Sequence, residues 1–186
     1  MISYNHMLRH HQGVVALRSI SRISSSSRPF SQSSRSFNKF SVRVSGTGRG
    51  VAQSIKADGH PHLIQTDAYK FFEGHESAPT PLVYNLGSLG SCTQVAGSLV
   101  AKSLGAKLGE WNVTVKGDLD TGVLAEGKDG NGNWESIEVN VRVQTDIEDE
   151  NTFNKFVSET ERRCPIMQLF KQSGTSWKSN WVNEKL

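Results

Sequence analysis

Residues 82–104 read LVYNLGSLGSCTQVAGSLVAKSL, a run of apolar and small residues long enough for one extended helix. Pro81 precedes the run, and proline is favoured at the first helical position because the N–H that it lacks would have no partner there. Apolar side chains occur nearly all round such a helix, which predicts that it is buried. Its polar residues and glycines argue against a membrane span. Its small residues predict that another backbone packs closely against it; these are Gly87, Gly90, Ser91, Ala96 and Gly97.

Short strands are predicted before this helix. Residues 40–50, FSVRVSGTGRG, alternate apolar and polar side chains and then reach glycines, which predicts a strand entering a turn near Gly46–Gly50. Residues 51–68 predict a second strand, a turn at Asp58-Gly59 and a third strand. A loop over residues 71–81 then leads into the helix.

Two clearer strands follow the helix, at residues 111–120 and 134–145. The second places Ile137, Val139, Val141 and Val143 on one face and polar residues on the other. Asp129-Gly130-Asn131-Gly132, between the two strands, is typical of a hairpin turn.

The remaining segments complete an α+β domain. Residues 149–161 predict a helix, Pro165 opens a shorter one, and residues 177–182 predict a closing strand. We assign residues 41–186 to this single domain, since a chain of 186 residues is long enough for one good core and short for two.

The charge is distributed unevenly along the chain. The formal net charge is +3, but nine basic residues and no Asp or Glu precede Asp58, which leaves twelve basic and eighteen acidic residues in 58–186. Residues 1–40, rich in Arg and Ser, have the composition of an organelle-targeting presequence, disordered and cleaved after import. We expect a mitochondrial destination, in the matrix, with the plastid as the alternative. The acidic body gives no support for nucleic-acid binding.

The chain has two cysteines, Cys92 in the long helix and Cys164 directly before Pro165. If Pro165 is the first helical residue, Cys164 is the N-cap, and the helix dipole with Arg162 and Arg163 favours its thiolate. Two interpretations of Cys92, a small buried apolar residue and a reactive thiol, stay open at this point. Neither cysteine has the paired spacing of a zinc ligand, and no metal or cofactor is expected.

Three motifs together resemble the OsmC/Ohr family of thiol peroxidases. They are APTPLVYNLGSLGSC at residues 78–92, RRCPI at residues 162–166, and GTGRG at residues 46–50 followed by Asp58-Gly59. In that family a proline opens a central helix, one cysteine follows at this spacing, and a second cysteine directly precedes the proline of a later helix.

The resemblance implies an intertwined homodimer, with antiparallel sheets wrapped around long buried central helices and active sites at the interface. Cys92 would be the peroxidatic thiolate that reduces organic hydroperoxides, and hydrogen peroxide as a further substrate. Cys164 would condense with the Cys92 sulfenic acid to a disulfide. Arg49 would be the catalytic arginine, and a dithiol such as a lipoylated protein would reopen the disulfide.

One position departs from the family pattern. The family usually has a Glu one or two residues after the proline equivalent to Pro81, where it pairs with the arginine, and this chain has Leu82 and Val83. Glu73 and Glu76 in the preceding loop are the candidates to replace it.

Three functions therefore compete. The first is a cysteine-based peroxidase, and the second is a catalytically weak redox-sensing or ligand-binding dimer of the same fold. The third is a cysteine hydrolase, for which His75 is the candidate base.

Overall fold

A computed structural model describes residues 39–186 of the chain. Nearly all of the expected presequence, residues 1–40, lies outside the described part. Residues Ser41–Leu186 form one compact unit. Its elements are β1 (Val44–Arg49), β2 (Ala52–Ala57), β3 (Leu63–Thr66), α1 (Pro81–Leu104), β4 (Leu108–Asp118), α2 (Thr121–Glu126), β5 (Ser136–Thr145), α3 (Glu150–Arg163), α4 (Pro165–Gln172) and β6 (Ser176–Lys185).

Helix α1 begins at Pro81, as predicted. The hydroxyl of Thr80, its N-cap, accepts a hydrogen bond from the Val83 N–H at 3.3 Å. The helix ends at Gly105, whose φ of 73° is a left-handed conformation that glycine adopts without a steric penalty. The proline, the cap and the glycine thus set both ends of the helix locally.

The strands form two sheets. Strands β1, β2 and β3 make an antiparallel meander, and the turn at Asp58-Gly59 falls between β2 and β3 as predicted. The second sheet has the order β4-β5-β6, in which β4 is antiparallel to β5 while β6 is parallel to β5. The expectation of antiparallel sheets was therefore wrong for β6, because two helices separate it from β5 in the chain and reverse its approach.

A short helix replaces the predicted tight hairpin between β4 and β5. Residues Thr121–Glu126 form α2, capped by the Asp120 carboxylate, which accepts from the Gly122 N–H at 2.8 Å. The turn residues Asp129–Gly132 then lie in the longer loop that returns to β5. The antiparallel pairing of the two strands is as predicted, but their connection is not.

The core lies between α1, the second sheet and the helices α3 and α4. Ile137, Val139, Val141 and Val143 of β5 are buried, which confirms the predicted face. Phe156 of α3 is fully buried and contacts two tryptophan rings.

The expectation that α1 is buried all round is wrong for a single chain. One face of the helix packs on the core through residues such as Leu89 and Val100. Another face is open, and Val95 and Leu99 are each 61% exposed. Gly97 lies on the packed side, where a Cβ would meet the Trp111 ring at 2.4 Å, while a Cβ at Gly87 would meet nothing within 4 Å.

A buried carboxylate holds the loop that leads into α1. Asp67 accepts hydrogen bonds from the N–H groups of Ala68, His75 and Ser77 and from the Ser77 hydroxyl, at 2.8 to 3.1 Å. These bonds, with that from the Ser77 N–H the strongest, hold the pKa of Asp67 well below its ordinary value. Gly74 packs so tightly here that a Cβ would lie 1.9 Å from the Ala68 carbonyl oxygen.

We expect Asp67→Asn to lower the thermal unfolding midpoint by several degrees at pH 7, because an amide N–H₂ would face donors that now share a carboxylate. Since the folded pKa is depressed, the stabilisation is present above the unfolded pKa of roughly 4 and is lost as pH falls toward the folded pKa. In a series of thermal melts, the difference in midpoint between variant and wild type should therefore shrink as the pH falls below the unfolded pKa of roughly 4. Asp58→Asn, which removes only an exposed pair with Arg43, is the matched control. Equal midpoints for Asp67→Asn and wild type at pH 7 would contradict this assignment.

Candidate active site

Helix α1 brings Cys92 to the edge of the packed core. The residue lies near the middle of the helix, is partly exposed, and packs against the core cluster that includes Cys164. The side chains of the two cysteines are close enough for that contact to raise the pKa of Cys164. The two thiols predicted as a working pair are thus neighbours across more than seventy residues of sequence.

Cys164 joins two helices. Its N–H donates to the Thr160 carbonyl and closes α3, while its Sγ accepts from the Met167 N–H at 3.5 Å and caps α4. The predicted N-cap position is confirmed. The side chain is completely buried.

Burial outweighs the helix N-terminus at Cys164. It raises the pKa of the thiol to about 11, and contact with Cys92 adds to the increase, although the Met167 N–H acts in the opposite direction. The expectation that the N-cap position favours a thiolate was therefore wrong. Desolvation disfavours the charged form, and the hydrogen bond from the Met167 N–H to the sulfur compensates for only part of this effect.

The two arginines before Cys164 do not reach its sulfur. Arg162 and Arg163 both pair with the Glu159 carboxylate, at 2.8 Å in each case, on the exposed side of α3. These contacts, with the Arg162 hydrogen bond the strongest, lower the pKa of Glu159 to about 2. The two guanidinium groups are thus drawn to a carboxylate about one helical turn earlier, which offsets one of their two positive charges.

Among the described residues, no hydrogen bond or ion pair joins Arg49 to either cysteine. Arg49 is the last residue of β1 and is exposed, beside the turn at Gly50 that leads into β2. The described contacts that shift the pKa of Cys164 come from Cys92, Ile166 and Met167, not from Arg49. One chain therefore joins two of the three predicted site residues.

A cavity of about 660 Å³ opens at the start of α1, and the sequence did not predict it. Four separate segments line it: the turn after β1, the loop before α1, the first turn of α1, and α2. Its lining includes the side chains of Tyr69, Phe71, Phe72, Glu73, Leu82 and Leu124. The only sequence signal was the run Tyr69-Lys70-Phe71-Phe72, at the start of the loop that leads into α1.

The two positions that depart from the family pattern face different surroundings. Leu82 lines this cavity, whereas Val83 lines a groove of about 590 Å³ between α1 and β4. Of the two candidate replacement carboxylates, Glu73 lies at the cavity and Glu76 pairs with Lys70 at 3.8 Å.

Within residues 39–186, no group of three or more His, Cys, Asp or Glu side chains is placed to hold a metal ion. No helix in that same range is long and apolar enough to cross a membrane.

Comparison with known proteins identifies similar folds. The model of a family described as OsmC-like protein matches residues 74–180. No curated protein matches the chain.

Three solved structures show the likeness. An OsmC-like protein from Mycoplasma pneumoniae is 16% identical with a TM-score of 0.64, covering 79% of this chain and 98% of its own. An organic hydroperoxide resistance protein from Elizabethkingia anophelis is 19% identical with a TM-score of 0.60, covering 80% and 99%. OhrB of Bacillus subtilis, also an organic hydroperoxide resistance protein, is 17% identical with a TM-score of 0.52, covering 76% and 98%. At these identities the likeness establishes the fold.

Proposed function

This chain belongs to the OsmC-like family, and we propose that it is a thiol-dependent peroxidase acting on organic hydroperoxides. The observation that carries the proposal is that Cys92, which is partly exposed on α1, packs against the buried core cluster that contains Cys164. An accessible thiol beside a protected one suits an attacking and a resolving cysteine.

The proposed reaction has three steps. The Cys92 thiolate attacks the distal oxygen of the hydroperoxide, the O–O bond breaks, and the departing alkoxide takes a proton to leave as an alcohol. Cys92 is then a sulfenic acid, and Cys164 displaces its hydroxyl, which leaves as water with the Cys164 thiol proton. A dithiol such as a lipoyl group reduces the Cys92–Cys164 disulfide by two exchange steps and becomes a disulfide itself.

The experiment that tests the proposal is steady-state consumption of cumene hydroperoxide by the full chain, with dihydrolipoamide as reductant. Sustained turnover supports the peroxidase. A single slow oxidation without turnover, by protein that is well folded, would instead support the redox-sensing or ligand-binding alternative. That alternative is favoured by one observation, the apolar Leu82 where the family usually has a carboxylate.

Arg49 is proposed as the group that stabilises the Cys92 thiolate and the departing oxygen. Its fixed positive charge suits that role. In a dimer, the β1–β2 hairpin that ends β1 at Arg49 would bring this charge to a cysteine of the second copy. We expect Arg49→Ala to lower kcat/KM for cumene hydroperoxide by about a hundredfold or more. Arg43→Ala, which removes an exposed arginine of the same segment paired with Asp58, is the control and should stay near wild type. Full turnover by Arg49→Ala would remove Arg49 from the mechanism.

We propose that the functional form is the homodimer. Support comes from the open face of α1 and from the first sheet, which leaves apolar residues of β1 and β3 exposed, among them Val44, Leu63 and Ile64. Exposed apolar surfaces of this kind are typical of an interface between protein chains.

We expect Leu99→Asp to weaken dimerisation by about a hundredfold or more, because a charge buried at the interface would have no partner. Sedimentation equilibrium should report twice the chain mass for wild type and the single mass for the variant. Leu186→Asp, at an equally exposed leucine that ends the chain after β6, is the matched control. A single-chain mass for wild type would contradict the dimer.

A further inference from the structure

Cys164 is a one-residue elbow between two helices. Helix α3 ends at Arg163 and α4 begins at Pro165, so Cys164 alone connects them. Its backbone is extended, with φ of -77° and ψ of 110°, and these two angles set the direction of α4 relative to α3. The same angles set the position of the Cys164 side chain. Whatever fixes the angle between the helices therefore also fixes where this sulfur lies.

A single residue braces the elbow. Among the described residues, the side-chain hydrogen bonds that run from α4 to α3 both end on Glu161, three residues before Cys164. The Gln168 amide donates to the Glu161 carbonyl oxygen at 2.9 Å, and the Lys171 ammonium donates to its carboxylate at 2.5 Å. A rotation about the Cys164 backbone would have to break these bonds.

Glu161 also anchors the elbow to the second sheet. Its other carboxylate oxygen accepts from the Ser179 hydroxyl at 2.6 Å and from the Trp181 Nε1–H at 3.0 Å, both on β6. Burial alone would raise the pKa of Glu161, but the hydrogen bonds from Lys171, Ser179 and Trp181 outweigh burial and lower it below its ordinary value. The side chain is only 13% exposed. An ionised carboxylate therefore joins α3, α4 and β6 beside the elbow.

Disulfide formation depends on where the Cys164 sulfur lies. In the proposed reaction Cys164 has to reach the sulfur of the Cys92 sulfenic acid, and misplacing reacting groups by about 1 Å costs about a hundredfold in rate. A second hydroperoxide competes for the same sulfenic acid. It transfers its distal oxygen to the sulfur, leaves as an alcohol and converts Cys92 to a sulfinic acid. A slower Cys164 therefore means more over-oxidation.

We propose that Glu161 is a positioning residue, which fixes the angle between α3 and α4 and so holds Cys164 where it resolves the Cys92 sulfenic acid before a second hydroperoxide oxidises it. Among the described residues, no hydrogen bond joins Glu161 to either cysteine, so it acts through the helices that meet at Cys164. This inference rests on the proposed peroxidase function and adds a residue that protects the site from over-oxidation.

The test measures how the sulfenic acid partitions between its two products. The reduced full chain, without reductant, receives a fixed excess of cumene hydroperoxide, and intact mass gives the ratio of sulfinic acid to intramolecular disulfide. We expect Glu161→Gln to raise this ratio about tenfold or more, because the amide loses the Lys171 ion pair and the elbow loosens. The rate of the first oxidation of Cys92 should stay within about twofold of wild type. A general loss of structure would not change the ratio while preserving that rate.

Glu159→Gln is the matched control. Glu159 is a carboxylate of the same helix, but it pairs with Arg162 and Arg163 of α3 and with no described residue of α4 or β6. Its ratio of sulfinic acid to disulfide should equal that of wild type. An increase in Glu159→Gln as large as that in Glu161→Gln would overturn the proposal.

Lys171→Met keeps the proposal testable if Glu161→Gln folds poorly. It removes one brace from α4 but leaves the Glu161 carboxylate bound to Ser179 and Trp181, and it should also raise the ratio. A wild-type ratio in Lys171→Met, or in folded Glu161→Gln, would overturn the role of Glu161. If wild type forms neither disulfide nor sulfinic acid with cumene hydroperoxide, the peroxidase function itself fails, which is a different result from an unchanged ratio.

Discussion

Replacing Cys92 with serine should lower hydroperoxide turnover by about a thousandfold or more. The thiolate is the attacking group, and a serine hydroxyl is almost never ionised near neutral pH, so the O–O bond has no nucleophile. The measurement is steady-state loss of cumene hydroperoxide by the full chain with dihydrolipoamide. Turnover by Cys92→Ser close to that of wild type would contradict the assignment.

Cys164→Ser separates the two cysteines. It removes the resolving thiol, but the serine hydroxyl still caps α4, so the fold should be retained. We expect this variant to oxidise once, to a sulfenic acid detected as a mass gain of one oxygen atom, and to form no intramolecular disulfide. Because this variant has a single cysteine, it has no second thiol to resolve the sulfenic acid. Continued turnover would therefore mean that the reductant attacks the sulfenic acid directly, which would contradict a required role for Cys164.

The second large effect concerns stability. Phe156→Ala should lower the free energy of unfolding by about 3–5 kcal/mol, because the ring is completely buried and its removal leaves a cavity. The ring packs edge-on to Trp181 at 6.0 Å and tilted against Trp111 at 6.2 Å between centroids. These two neighbours come from β6 and β4, so the ring ties α3 to both edge strands of the second sheet.

Denaturant unfolding at one fixed protein concentration measures this effect, since the stability of an oligomer depends on concentration. Phe153→Ala is the control. Phe153 lies one helical turn earlier on α3 and stacks on Phe156 at 5.8 Å, but it is only partly buried. If Phe153→Ala lowered the free energy of unfolding as much as Phe156→Ala, the difference in burial between the two rings would not explain their contributions, and the prediction would be contradicted.

Local signals accounted for most of the secondary structure. Helix α1 begins at Pro81 because proline suits the first helical position. It stops before Gly105 because glycine readily adopts the left-handed conformation that follows the last helical residue. Alternation along β5 predicted its buried face for a similar reason, since successive side chains point to opposite sides of a strand. Asp129–Gly132 misled because turn-forming residues suit many loops, and the chain placed α2 before them.

The candidate site was predicted less completely. The resemblance to a known family, carried by the positions of Cys92 and Cys164 relative to prolines, implied the pair, and the fold packs Cys92 against the buried cluster that contains Cys164. Arg162 and Arg163 looked like partners of Cys164 in the sequence, but the helix directs them to Glu159 three and four residues earlier. Side-chain direction on a helix follows its period and not adjacency in the chain.

By itself, then, the sequence determined what depends on near neighbours: the helix ends, the strand faces, the N-cap at Cys164 and the family to which the chain belongs. Tertiary structure alone decided what depends on burial and on the meeting of distant segments. It raised the pKa of Cys164 by enclosing it, left one face of α1 open, and placed Leu82 and Glu73 at one cavity. The physical reason is that solvation and distance between remote residues are set by the packing of whole elements, and no short stretch of sequence contains that information.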